Sequence, residues 1–225
     1  MKKIKEKREL GALFYPKGTK SKPISFNSLY IPYIYKEIYM EGVYVDIFNQ
    51  KKDMVVLDIG ANIGIVTQYM RDYSKKIYAV EPSTEHFEAL KKNKEFNKWD
   101  NVEIFKMAIS NKNGEMRLNY CPGNRTSHSL TLNYGKEGEM VKTQTLKTFL
   151  KENKIKHVDF MKFDVEGAEE SILMDSEFET IKDKFSAIEV EFHFPDFLKI
   201  INHMMRLGFK ARRYEASAVI VLFTK

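Results

Sequence analysis

Met54-Val55-Val56-Leu57-Asp58-Ile59-Gly60-Ala61-Asn62-Ile63-Gly64 is the stretch that decides the fold. The first six residues form a short apolar run closed by a glycine, which predicts a buried strand over 54–59. Gly60 permits a tight turn straight after it. Gly64 lets the next helix, expected over 63–73, pack close to the strand and leaves backbone accessible to a ligand. The N–H groups exposed at that helix start, at Ala61 and Asn62, suit an anion such as a carboxylate. The spacing is G-x-x-x-G rather than the G-x-G-x-x-G of dinucleotide sites, and Asp58 would repel a pyrophosphate. A ligand carrying an ammonium and a sulfonium matches that acid better.

Working outward, strands and helices alternate. Strands are expected at 76–81, 102–109, 158–165 and 187–194, and helices at 84–97, 168–174 and 196–207. Residues 115–120 read as a short hairpin arm behind the Asn113-Gly114 turn. Two further strands, 209–214 and 217–224, are joined tightly enough to be antiparallel. Alternating β and α elements imply a mostly parallel sheet with helices on both faces, and ligands of such sheets lie beyond the carboxyl ends of the strands. Residues 28–49 are aromatic-rich at helical spacing and read as a helical cover within 23–50, ahead of a core over 51–225.

The second strand ends in Glu81-Pro82-Ser83, 23 residues after Asp58. An acid at that tip accepts hydrogen bonds from ribose hydroxyls, and Pro82 forces the chain out of the strand there. Asp58, Gly60, Ala61, Asn62, Gly64, Glu81, Pro82 and Ser83 are therefore the expected cofactor residues. The alternative is a purely structural strand–helix turn.

In this frame the segments 37–44 (EIYMEGVY), 55–67 (VVLDIGANIGIVT), 78–93 (YAVEPSTEHFEALKKN), 101–110 (NVEIFKMAIS) and 158–173 (VDFMKFDVEGAEESIL) become specific. The chain resembles the FkbM family of S-adenosylmethionine-dependent methyltransferases over about 140 residues. The resemblance implies a Rossmann-like class I methyltransferase fold, with a seven-stranded sheet ending in an antiparallel hairpin. It also implies S-adenosyl-L-methionine as cofactor and O-methylation of a small molecule or glycan. One departure is visible. Many methyltransferases carry an acid after the third strand for the adenine amine, whereas this chain has Met107-Ala108-Ile109-Ser110. Adenine contact near Ala108 is therefore expected through backbone and apolar surface.

Lys162, Asp164 and Glu166 alternate along the fourth strand and its exit, followed by Gly167 and Glu169. Charges on a buried strand are costly unless paired or functional. One reading pairs Lys162 with Asp164 and places Glu169 in a helix first turn, favoured by the dipole. The other sets Asp164 and Glu166 at the mouth beside the cofactor and the acceptor. On the fifth strand Glu189, Glu191 and His193 share one face. His193 is the candidate general base, with Glu191 as its orienting partner; the competing reading is a histidine held in a structural network. The long loop 121–134, with Asn124, Arg125, Ser127 and His128, reads either as a lid that selects the acceptor or as an ordinary surface loop.

Composition bounds these readings. With 225 residues, 43% hydrophobic and 30% charged, the chain is globular, and its apolar runs are strand-length, far below a membrane span. The net charge of +6 sits in residues 1–22, where eight Lys and Arg face only Glu6 and Glu9; the remaining 29 basic and 29 acidic residues balance. The positive charge thus belongs to an N-terminal arm, expected to be solvated and partly disordered, and nucleic acid is not the favoured partner. Cys121 stands alone, which excludes an internal disulfide and a cysteine zinc site. No metal ligand set is read, and the short apolar stretch 10–14 predicts a cytoplasmic chain rather than an exported one. Two rivals to O-methylation stay open: an RNA or protein methyltransferase recruited by the arm, and a scaffold that binds cofactor without catalysis.

Overall fold

The computed structural model describes residues 12–14, 24–26, 48, 52–122, 127–135, 137–215 and 219–225. Most of the basic arm and of the expected helical cover, with Asn124 and Arg125, lies outside the described residues. Two short strands, β1 (Ala12–Phe14) and β2 (Ile24–Phe26), pair antiparallel. Phe48 is helical and fully buried, its ring edge-on to Phe160 at 5.1 Å.

The core begins at β3 (Met54–Ile59), followed by α1 (Ile65–Met70), β4 (Ser74–Val80), α2 (Thr84–Asn97) and β5 (Val102–Phe105). Then come β6 (Ala108–Ile109), β7 (Gly114–Asn119), β8 (Gly138–Gln144) and α3 (Leu146–Glu152). The remainder is β9 (Phe160–Phe163), α4 (Glu169–Leu173), α5 (Ser176–Ile181), β10 (Ala187–Phe192), α6 (Phe197–Arg206), β11 (Lys210–Glu215) and β12 (Val219–Thr224). Seven strands form one sheet in the order β11-β12-β10-β9-β3-β4-β5, parallel except for the β12 pairings. This is the expected parallel sheet with its antiparallel C-terminal hairpin.

Period-two alternation builds an apolar layer on each face. Leu57, Ile59, Met161, Phe163, Ile188 and Val190 share one cluster, and Val56, Ile77, Ala79 and Phe160 belong to the other. Each such side chain contributes about 1.5–3 kcal/mol by leaving water. On the second face the register sets Asp58 beside Lys162 and Lys162 beside Glu189, all three buried. The polar stripe on central strands is thus a carboxylate–ammonium–carboxylate row across three neighbours.

Two expectations are corrected. The strand expected over 102–109 breaks after Phe105, because the Met107 N–H folds back onto the Phe105 carbonyl at 3.1 Å. Ala108 and Ile109 then pair with Thr143 and Gln144 in a separate three-stranded sheet, β6-β8-β7. The arm at 114–119 likewise finds its antiparallel partner in β8, across the long loop, rather than in the strand before it. Among the described residues no helix is long and apolar enough to cross a membrane.

Candidate active site

A cleft of about 570 Å³, open to solvent at its mouth, lies beyond the carboxyl ends of β3, β4 and β9. Its walls include Gly60, Asn62, Glu81, Pro82, Ala108 and Asp164 from the expected set, together with Glu166. Four expected cofactor residues, Asp58, Ala61, Gly64 and Ser83, do not line it, and the Ala61 N–H expected to meet an anion is taken by the Val80 carbonyl at 3.0 Å.

Gly60 marks the closest approach. It adopts φ +77°, and a Cβ there would stand 1.9 Å from the Asp164 carbonyl oxygen. Glycine is required both by conformation and by space. Gly64, at φ +92°, serves helix packing instead: a Cβ would meet Leu90 at 2.7 Å and Trp99 at 2.8 Å. Behind the turn, Asp58 is wholly buried and accepts a 2.5 Å hydrogen bond from the Thr67 hydroxyl, while its Oδ1 has no hydrogen-bond partner. Burial pushes the Asp58 carboxyl above its usual range, against the pull of Lys162 and the Thr67 bond. Burial also opposes the Lys162 charge, but Asp164 and Asp58 outweigh it and hold the ammonium protonated. Lys162 Nζ donates to Asp164 Oδ2 at 2.9 Å and to the Gly60 carbonyl at 3.2 Å, so it ties the two strand tips together.

Glu81 stands at the end of β4 with a carboxylate closed onto the backbone. Its Oε2 accepts the Asn62 N–H at 2.8 Å and its Oε1 accepts the Ser83 N–H at 2.9 Å. A carboxylate offers about four lone-pair sites, so capacity remains for ligand hydroxyls. Ser83 caps α2 by accepting the His86 N–H.

The small sheet closes the far wall. Met107, Ala108, Ile109, Leu118 and Leu130 give it an apolar surface, and His128 gives it one imidazole. His128 is stacked between His86 (centroids 5.1 Å apart) and Tyr120 (4.6 Å), with its Nδ1 buried and unpartnered. Burial, then the neighbouring His86, lowers the pKa of His128. The loop carrying it is pinned by Ser129, which is fully buried and donates to the Glu166 carbonyl at 2.5 Å. Nothing in the serine's local sequence signals that anchor.

His193 is not among the cleft-lining residues, but it gathers carboxylates that include two of them, Asp164 and Glu166. Its Nδ1 lies 3.0 Å from Glu169 Oε1, and its Nε2 faces Glu166 at 3.3 Å, Glu191 at 3.7 Å and Asp164 at 3.8 Å. The orienting partner is thus Glu169, not Glu191: Glu169 enters from the first turn of α4 and is 1% exposed. Burial opposes the imidazolium, but the Glu169 bond and the charges of Asp164 and Glu166 hold its pKa up at about 9. Burial and Asp164 push the Glu166 carboxyl upward in turn. Glu166 is itself held at φ +50°, a conformation that only a constrained non-glycine residue keeps.

Sheet order, crossovers and a cleft at the strand tips with an acid on β4 define a Rossmann-like class I methyltransferase fold. The family model described as "Methyltransferase FkbM domain" matches residues 58–211, and the chain belongs to that family. It is 29% identical over 167 residues to "Methyltransferase 1" of Beauveria bassiana (strain ARSEF 2860), covering 64% of this chain and 67% of the relative. Among solved structures it resembles "Methyltransferase FkbM" from Methylobacillus flagellatus KT, with a TM-score of 0.52 and 14% identity over 77% of this chain and 44% of the other. It also resembles the N-terminal domain of human METTL16 in complex with SAH, with a TM-score of 0.50 and 14% identity over 87% and 68%.

Proposed function

We propose that this chain transfers a methyl group from S-adenosylmethionine to a hydroxyl of a small molecule or glycan. The observation that carries this reading is one cleft lined both by Glu81 and by Asp164 and Glu166, the two carboxylates that face His193. The residues present fit the donor. Gly60 lets the tip of β3 close onto the Asp164 backbone so that both line the cleft, Glu81 keeps acceptor capacity for ribose hydroxyls, and the apolar wall at Met107 and Ala108 suits an adenine face. Buried Asp58 does not reach the cleft; it steadies the turn from beneath through the Thr67 hydroxyl.

When bound, S-adenosylmethionine supplies a methyl on a sulfonium: an acceptor lone pair forms the new bond to carbon, and the carbon–sulfur pair returns to sulfur. The chain's own task is then to orient the acceptor and to take up its hydroxyl proton. The cluster around His193 is suited to that, because Asp164 and Glu166 line the cleft, Lys162 holds the Asp164 carboxylate, Glu169 holds the His193 ring and Ser129 holds the Glu166 backbone carbonyl.

Isotope-labelled methyl transfer to a panel of diols, sugars, phenols and RNA tests the reading. Product carrying the label on oxygen is expected. Label found only on RNA or protein nitrogen, or S-adenosylhomocysteine that fails to bind at all, would overturn it.

A further inference from the structure

Four carboxylates, Asp164, Glu166, Glu169 and Glu191, meet at the His193 ring, and Lys162 is the described ammonium bonded there. Two unpartnered oxygens remain: Asp164 Oδ1 and Glu169 Oε2 are each shut from water without a hydrogen bond. Leaving such atoms buried and unpaired is expensive.

Three of these groups, Asp164, Glu191 and His193, each offer one atom, and the three atoms lie within 4.8 Å of one another. Bonds of about 2.1–2.2 Å around one cation hold neighbouring ligand atoms roughly 3.0–3.6 Å apart. The Nε2 distances of 3.7 Å to Glu191 and 3.8 Å to Asp164 need to shrink by a few tenths of an ångström, and the two carboxylates, within 4.8 Å of each other, close around the ion by side-chain rotation. The far side of the ring has the complementary feature. A metal-ligating histidine usually gives its other ring N–H to a carboxylate, which fixes the ring and the tautomer. Here Nδ1 faces buried Glu169 at 3.0 Å, leaving Nε2 as the atom turned to the two carboxylates.

We infer that Asp164, Glu191 and His193 bind a divalent cation of the Mn2+ type at the edge of the methyl-donor cleft. Two carboxylates and one imidazole favour such an ion over Ca2+, which takes oxygen ligands alone. Asp164 lines the cleft as well, so the ion and the donor site share a wall. Three protein ligands leave coordination positions for water or for the acceptor oxygen, whose proton a cation makes easier to remove. Glu166, outside the ligand set and on the cleft wall, is then the group left to receive that proton. The role in catalysis rests on the methyltransferase reading; the ion site does not.

The test titrates Mn2+ into the full chain after chelator treatment, with free Mn2+ followed by electron paramagnetic resonance and no methyl donor present. One saturable ion per chain is expected, with affinity falling roughly 10-fold or more in Glu191→Gln and in His193→Gln. Glu169→Gln, which alters the positioning bond together with the acceptor of the Gly167 N–H, should lose roughly 10–100-fold. Paramagnetic broadening of the His193 ring resonances in the unaltered chain locates the ion without any substitution. Uptake absent below millimolar Mn2+, uptake unaffected by all three substitutions, or broadening confined to other residues overturns the site. S-adenosylhomocysteine, titrated into the same samples by calorimetry, reads the donor cleft separately. Donor binding without Mn2+ binding overturns the ion site alone; Mn2+ binding without donor binding supports the ion site and overturns the methyltransferase reading.

Discussion

Replacing Glu81 separates its two jobs. Its carboxylate accepts the Asn62 and Ser83 N–H groups at 2.8 and 2.9 Å, and it is expected to accept ribose hydroxyls as well. Alanine removes both backbone acceptors. A buried N–H left without a partner costs about 1–3 kcal/mol, so two give roughly 2–6 kcal/mol. Asn62 lines the open cleft and water can reach its N–H, which favours the lower half of that range. For a chain of this size each kcal/mol shifts the melting temperature by about 2–4 °C, so a fall of roughly 4–16 °C is expected. Separately, losing a charge-assisted bond to the donor should weaken S-adenosylhomocysteine binding by about 1.5–3 kcal/mol, or roughly 10–150-fold. Glu81→Gln keeps one acceptor oxygen and turns an amide N–H toward the other backbone donor, so its losses should fall between alanine and wild type. Thermal melting without ligand and calorimetry with it read the two effects independently. An unchanged melting temperature would refute the backbone role, and unchanged affinity would show that the ribose is held elsewhere.

Gly60→Ala should cost at least about 3 kcal/mol, because a left-handed alanine and a backbone contact of 1.9 Å act together; a normally stable variant would sink the argument that Gly60 is required by its approach to the Asp164 backbone. Lys162→Met should destabilise by about 3–5 kcal/mol, since Asp58 and Glu189 lose the charge between them, and denaturant unfolding at neutral pH checks it. His128→Ala should cost about 0.5–1.5 kcal/mol of donor affinity, roughly 2–12-fold, by removing the ring stacked between Tyr120 and His86; calorimetry showing no change would take His128 out of the donor site. Glu166→Gln should slow methyl transfer by about 10²–10⁴-fold in single turnovers with little effect on S-adenosylhomocysteine affinity, and near-normal turnover would remove it as the proton acceptor.

The sequence made legible whatever depends on local order. Strand β3, the Gly60 turn and α2 lie where the apolar run, the glycines and the Ser83 cap predict them, and α2 matches to the residue. What escaped depends on register and on distant segments. The break after Phe105 hides inside an apolar run that reads as one strand, because the turn there is a backbone bond between Met107 and Phe105 that no side chain advertises. Strand β8 was hidden in a polar segment whose buried positions, Val141 and Thr143, are too few to show alternation. Glu169 looked like a dipole-favoured helix start, yet it is the group against His193, because α4 and the end of β10 meet only in the folded chain.

The charged residues of the central strands show why spacing alone found the site but not its division of labour. Glu189, Glu191 and His193 share a strand face, as do Lys162 and Asp164, and spacing makes them one stripe. Register then cuts the stripe in two. Deep in the sheet, Lys162 stands between Asp58 and Glu189. Two residues further along the same strands, Asp164 takes a bond from that same lysine, and Asp164 and Glu191 both face His193. One ammonium therefore serves both rows, holding the Gly60 carbonyl and the Asp164 carboxylate together at the strand tips. The outer row reaches the cleft through Asp164, and that is where the proposed ion and the proposed donor would meet.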